Sequence, residues 1–224
     1  MALNVNKLPK KEGGKGKAEL LEEGNYPARV VQIVDLGLQP GMVYMGNQKP
    51  PAHKIRVTYE LVSEFMKNED GTDNEDAPRW LSEDFPLFGL GADRAKSTIR
   101  YNALDPKHEH EGDWAALLDT PCLVTVVNNV SKSNGNTYNN VGLVSQPMKG
   151  METPPLKHEP IAFDLDNPDL DVFNSLPEWL RDDIIGNLEF NASPLQVALG
   201  IEAGPVDPDP EPEAEGEDDD DTPF

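Results

Sequence analysis

The sequence holds a single cysteine, Cys122, in 224 residues. That excludes an intramolecular disulfide and any multi-cysteine zinc site, and it points to a reducing compartment. Cys122 lies in an apolar run, where a buried free thiol is expected. No run of about 18 apolar residues exists to cross a membrane. The N-terminus MALNVNKLPKKEGGKGK lacks the apolar stretch of a signal peptide. A cytoplasmic protein without a membrane partner is expected. Apolar residues are also scarce, at 37% against roughly 45 to 50% in a typical globular chain, so part of the sequence is expected to stay unfolded.

The shortage is concentrated at the C-terminus. From Glu202 to Phe224 there are eleven Asp and Glu, five Pro, and no Lys or Arg. Such a segment repels itself and has only Phe224 as a large apolar side chain. Burial therefore cannot offset the backbone entropy of ordering, about 1 to 2 kcal/mol per residue. The net charge of −22 is correspondingly uneven: residues 1–160 carry 18 Lys and Arg against 22 Asp and Glu. The other end is a Lys- and Gly-rich arm with five Lys in its first 17 residues, readable as a solvated leader or as a phosphate-binding arm.

Enzyme signatures are missing as well. No glycine-rich phosphate loop appears, since Gly89-Leu-Gly91 has neither the third glycine nor the strand-to-helix setting. His108-Glu-His110 spaces its imidazoles two apart in a charged loop, where helical metal ligation needs four. The expectation is a protein that is not an enzyme and uses no cofactor and no metal.

What is present is a strand pattern. Tyr26 to Leu36 is rich in β-branched residues, and a Gly- and Pro-rich loop, Gly37 to Pro51, separates it from a second strand, Lys54 to Val62. That strand alternates, with Ile55, Val57, Tyr59 and Leu61 on one face. Lys54, Arg56, Thr58 and Glu60 lie on the other, expected to be wet. An acidic turn-like stretch, Asn68 to Asp76, precedes a third strand, Arg79 to Phe85, on which Trp80 and Phe85 take opposite faces. Asp93 to Leu104 reads as a helix and Trp114 to Leu118 as a short helical turn. Pro121 to Val130 and Thr137 to Ser145 flank Asn134-Gly135, a strong hairpin signal.

Three strands, a helix and two strands is the element order of an OB-fold five-stranded barrel with an inserted helix, a mainly β class. Beyond it, Leu176, Leu180, Ile184 and Leu188 recur four apart with Phe173 and Trp179 nearby, which predicts an amphipathic helix or helix pair covering the barrel. The expected organisation is a flexible arm over 1–25, a barrel over 26–150, a helical extension over 151–201 and a disordered acidic tail over 202–224.

Single-stranded DNA is held by rings that stack on bases and cations that follow the phosphates. Arg29, Lys54, Arg56, Arg79, Arg94, Lys96, Arg100 and Lys132 fall on the predicted strands, helix and hairpin loop. Tyr44, Trp80 and Tyr138 are the rings placed outside the core, whereas Tyr59 shares the apolar face. The set chosen for DNA contact is Arg29, Tyr44, Lys54, Arg56, Arg79, Trp80, Lys132 and Tyr138. The competing reading, of a different class, is an acidic interaction or DNA-mimic module.

The tip Asp218-Asp219-Asp220-Asp221-Thr222-Pro223-Phe224 resembles the tail tip of bacterial single-stranded DNA-binding proteins, with Thr222 where that tip has an aliphatic residue. It is also similar to the acidic, Phe-ending tail of the T7-type phage proteins. The body, through Tyr26-Pro-Ala-Arg-Val-Val-Gln-Ile-Val-Asp-Leu-Gly37, Pro50-Pro-Ala-His53, Thr58-Tyr-Glu-Leu-Val62 and Ala95-Lys-Ser-Thr-Ile-Arg-Tyr101, resembles the single-stranded DNA-binding proteins of tailed bacteriophages over roughly residues 26–190. The resemblance implies an OB-fold that coats single-stranded DNA in phage replication, recombination and repair in the cytoplasm of the infected host. It also implies that Asp218 to Asp221, Pro223 and Phe224 recruit a DNA polymerase, helicase or primase.

Overall fold

The computed structural model describes residues 19–132 and 134–202, apart from the side chain of Tyr44. The Lys-rich residues 1–18 and the tail with Asp218 to Asp221, Pro223 and Phe224 lie outside the described residues.

Five strands make one curled antiparallel sheet: β1 (Gly24–Gln39), β4 (Ala52–Lys67), β5 (Asp73–Pro86), β6 (Pro121–Val130) and β7 (Thr137–Ser145), in the order β5-β4-β1-β6-β7. Two residue pairs, β2 (Val43–Tyr44) and β3 (Asn47–Gln48), form a small hairpin in the Gly- and Pro-rich loop after β1. The sheet is a half-barrel, compatible with an OB-like fold. β4 and β5 run further than their apolar alternation indicates. The acidic stretch after Asn68 turns only as far as Thr72, and Asp73 already pairs with Lys67. Backbone pairing in a hairpin continues past the last buried side chain, because a ladder needs no apolar partner.

The inner face is the main core. Ala28, Val30, Ile33, Ile55, Val57, Tyr59, Leu61, Phe85, Cys122, Val124 and Val126 are buried there. The strict alternation of β4 places Ile55, Val57, Tyr59 and Leu61 inside, as the period of two requires. Phe85 faces in and Trp80 faces out. Leu21 is buried in the same core, so the ordered body begins before residue 26. Helix α1 (Lys96–Leu104) packs on this core through Tyr101 and Leu104. It starts three residues later than Asp93, after a turn at Gly89 to Ala95.

The open side between β5 and β7 is closed by side chains. Glu83 of β5 accepts from Arg100 Nε at 2.7 Å, Lys96 Nζ at 2.7 Å and Tyr59 Oη at 3.0 Å, while Arg100 Nη2 also donates to the Gly142 carbonyl of β7 at 3.1 Å. Burial first, then the Glu83 charge, pushes the Tyr59 phenol well above the ordinary tyrosine value. The unfolded chain therefore loses this proton at lower pH than the folded one. The contribution of this group to stability should be level below about pH 10 and fall as pH rises through the alkaline range. Denaturation midpoints compared across that window in wild type and Tyr59→Phe check this: the decline should be shallower in the variant.

The outer face is where the sequence expectation fails. Beyond the barrel, β8 (Ile161–Phe163) pairs in parallel with Gln32 to Val34 of β1. Helices α2 (Leu170–Ser175), α3 (Glu178–Ile185) and α4 (Pro194–Ala198) follow. Val34 and Leu36 of β1 form a second core with Phe163, Phe173, Leu176, Leu180, Ile184 and Leu195. Val34 and Leu36 reach this side because β1 carries a register shift between Val30 and Gln32; such an irregularity moves later side chains to the opposite face. Thr58 and Glu60 of β4, expected in water, are buried.

The amphipathic stripe is a helix pair, broken where Pro177 holds Leu176 extended (φ −70°, ψ 149°). Helix α3 ends before Gly186. Leu188 therefore leaves the stripe and is exposed.

Candidate nucleic-acid interface

The residues selected for DNA contact fall into four places rather than one. Lys54 and Arg56 of β4, Trp80 of β5 and Arg29 of β1 share the outer face. There, Arg56 pairs with Asp84, Glu60 with Trp80, and Arg29 with Glu60 across the ladder. Arg79 pairs with the inward-facing Leu61 and projects to a barrel end. Lys132 and Tyr138 belong to the β6–β7 hairpin. Tyr44 is in the β2–β3 hairpin.

Three of the cations are engaged. Arg29 is a clamp: Nη1 binds the Asp119 carboxylate at 2.9 Å and its carbonyl at 2.7 Å, while Nε and Nη2 donate to the carbonyls of Pro154 (2.7 Å) and Thr153 (3.1 Å). It thereby ties the extension to the barrel. Arg56 Nη1 donates to both Asp84 oxygens at 2.8 and 2.9 Å, and the Trp179 ring lies 4.6 Å from its Cζ. Burial raises the Asp84 carboxyl above its usual range, the Arg56 charge lowers it, and the Asp183 charge raises it again. Arg79 donates to the Glu19 carbonyl and, at 3.5 Å, to Asn139. Lys54, by contrast, makes no ion pair among the described residues and is half-buried on the outer face.

Of the other cations on the helix, Lys96 pairs with Glu83 and Arg100 is buried with it. Arg100, already outside the chosen set, is internal: its guanidinium spans the gap between β5 and β7.

The rings are more accessible. Trp80 is 40% exposed, and its Nε1 donates to Glu60 Oε2 at 3.0 Å. Glu60 is fully buried and also accepts from the Lys157 amide and His158 Nδ1, each at 2.7 Å. Three donors on one carboxylate compensate its removal from water. The His158 ring meets Trp80 edge-on at 5.0 Å. Tyr138 is exposed, with its hydroxyl bonded by the Asn134 and Asn136 side-chain amides beneath the hairpin tip, where Gly135 takes φ +70°. Tyr59 and Tyr101 are core residues.

Two features missed in the sequence stand out. Trp179 is 50% exposed on α3, and only its place one position from the buried stripe signals it. His158 has no local sequence signal, since tertiary packing alone brings it to Glu60.

Comparison with protein-family models, curated proteins and solved structures returns no match.

Two other regions are unlike a phosphate site. An open groove of about 810 Å³ near the start of β1 is lined by Glu19, Glu22, Glu64 and Asp73, with Lys67 and Arg79 already engaged. Burial, then the charges of Glu64 and Glu22, raises the Tyr26 phenol there. At the His108-Glu-His110 loop, the organiser is Asp105. Its carboxylate accepts from the amides of Glu109 (3.0 Å) and His110 (2.9 Å). Burial by itself would raise this carboxyl, but the two amides, with the His110 charge and the Tyr101 hydroxyl, together hold it below its usual range. Among the described residues no group of His, Cys, Asp and Glu converges as a metal site, and no helix is long and apolar enough to cross a membrane. Cys122 is fully buried, and burial pushes its thiol up to about 12.

Proposed function

We propose that this protein binds single-stranded DNA without sequence preference, using the outer face of an OB-fold barrel, and coats it during phage replication, recombination and repair. In this reading it is not an enzyme and works in the cytoplasm of the infected bacterial host. Its acidic arm, through Asp218 to Asp221, Pro223 and Phe224, recruits a replication protein such as a polymerase, helicase or primase. The observation that carries the reading is the half-exposed Trp80. Its indole is fixed by Glu60 on the outer face of a curled β-sheet, four ladder positions from Arg56 and six from Lys54, which makes no ion pair among the described residues. An anchored, partly exposed indole offers a base a stacking partner, and Lys54, in no ion pair among the described residues, is a cation for phosphate.

A second reading has its own support. Arg29, Arg56 and Arg79 are each held by acceptors of this chain, which favours an acidic module that binds a DNA-processing protein in place of DNA. Titration of the full chain with labelled oligothymidine separates the two. The first reading expects affinity that falls linearly in log-log form with salt, and Lys54→Ala should reduce the slope by about 0.7, one phosphate contact. Absence of binding at low salt would reject it in favour of the second.

A further inference from the structure

We infer that the extension after the barrel forms one wall of the DNA site, and that Trp179 is a second base-stacking ring beside Trp80. This rests on the single-stranded DNA reading above.

Helix α3 does not need Trp179 for its own packing. Leu176, Leu180 and Ile184 fill the second core, while the Trp179 indole rests on the Arg56 guanidinium at 4.6 Å and stays half-exposed. The guanidinium is fixed from behind by both Asp84 oxygens. A ring with one face on a fixed cation and surface left in water is positioned much as Trp80 is. Trp80 is held at its Nε1 by Glu60 and flanked by His158.

The two rings sit over different rows of one ladder. Trp80 faces Glu60 and Arg56 faces Asp84 in an unbroken register. The row that carries Trp80 and the row of Arg56, on which Trp179 rests, are therefore four strand positions apart, about 13 Å. One base cannot reach both, so the strand would place different bases on the two indoles. Between them the extension is the boundary: Thr58 and Glu60 are covered, and Ser82 on β5 remains half-buried.

The wall is built rather than draped. Arg29 holds the carbonyls of Thr153 and Pro154, Glu60 holds the Lys157 amide and His158, and β8 continues the sheet. A single buried carboxylate thus orients a ring from the barrel and a ring from the extension. Asp84 and Asp183 stand near the Trp179 end. Contact there is therefore stacking.

The chain has three tryptophans, and the third, Trp114, packs against Phe85 and Tyr101 in the barrel core. Oligothymidine should quench the emission of the wild-type full chain. Trp80→Phe and Trp179→Phe should each remove part of the quench, and the double variant, left with Trp114, should show none. Trp179→Ala should weaken binding about 5- to 150-fold, the loss of one stacked base, at an unchanged salt slope and with wild-type melting. Full quench in Trp179→Phe together with wild-type affinity in Trp179→Ala would overturn the inference while leaving DNA binding intact. A wild-type chain that binds no oligothymidine would instead overturn the DNA reading itself, and this inference with it.

Discussion

Glu83→Ala is expected to destabilise the fold by about 3 to 5 kcal/mol, the scale for stranding one member of a buried ion pair. Glu83 and Arg100 side chains are each 5% exposed. With the carboxylate removed, the guanidinium keeps only the Gly142 carbonyl, and the Tyr59 hydroxyl loses its acceptor. Lys96, 44% exposed, can return to water, so the penalty falls on Arg100 and Tyr59. The damage is also topological. Arg100 joins β5 to β7 where the half-barrel has no ladder, so its release should loosen the β7 edge. Glu83→Gln, which keeps an acceptor, should lose less. Glu83→Leu combined with Arg100→Leu should recover part of the loss by removing both charges. Urea midpoints measure all three, with Glu109→Ala, on an exposed pair with Lys107, as the surface control. A Glu83→Ala protein no less stable than that control would refute the closure role.

Leu180→Ala should cost about 2 to 5 kcal/mol, the lost burial plus the cavity left behind. Leu180 is 1% exposed in the second core, on the far side of β1 from the barrel interior. The two cores share the β1 backbone and no side chain, so the loss should concentrate in the extension. Amide exchange is the informative readout. Protection should fall in α2, α3, α4 and β8 while the β4 and β6 amides keep theirs. Equal loss in both cores would mean that the extension and barrel unfold as one unit.

These two variants mark where sequence reading stops. Tyr59, Phe85, Cys122 and the β6–β7 hairpin were legible because their signals are local: period-two alternation, an apolar run, and Asn-Gly between strands. Trp80 as the outward ring of β5 follows from the same alternation. The role of Arg100 does not. On a helix without Gly or Pro it reads as one more surface cation, and its burial depends on Glu83, seventeen positions away, and on a carbonyl of β7. Glu60 misleads similarly. Its alternation assigns it to the outer face correctly, but that face is water only if nothing covers it.

By itself the sequence determined the element order of the barrel, the inner face of β4, the amphipathic stripe of the extension, and the concentration of acid beyond residue 201. Each depends on near neighbours in the chain and on intrinsic backbone preference. Only the tertiary structure decided which cations are free and which rings face water. Whether Arg29, Arg56, Arg79 and Arg100 are ligand contacts or internal clamps turns on carboxylates and carbonyls many residues distant. The availability of a charge in a folded protein is set by what packs against it, and the extension that builds a second core on β1 also buried Thr58 and Glu60 on a face expected to be wet.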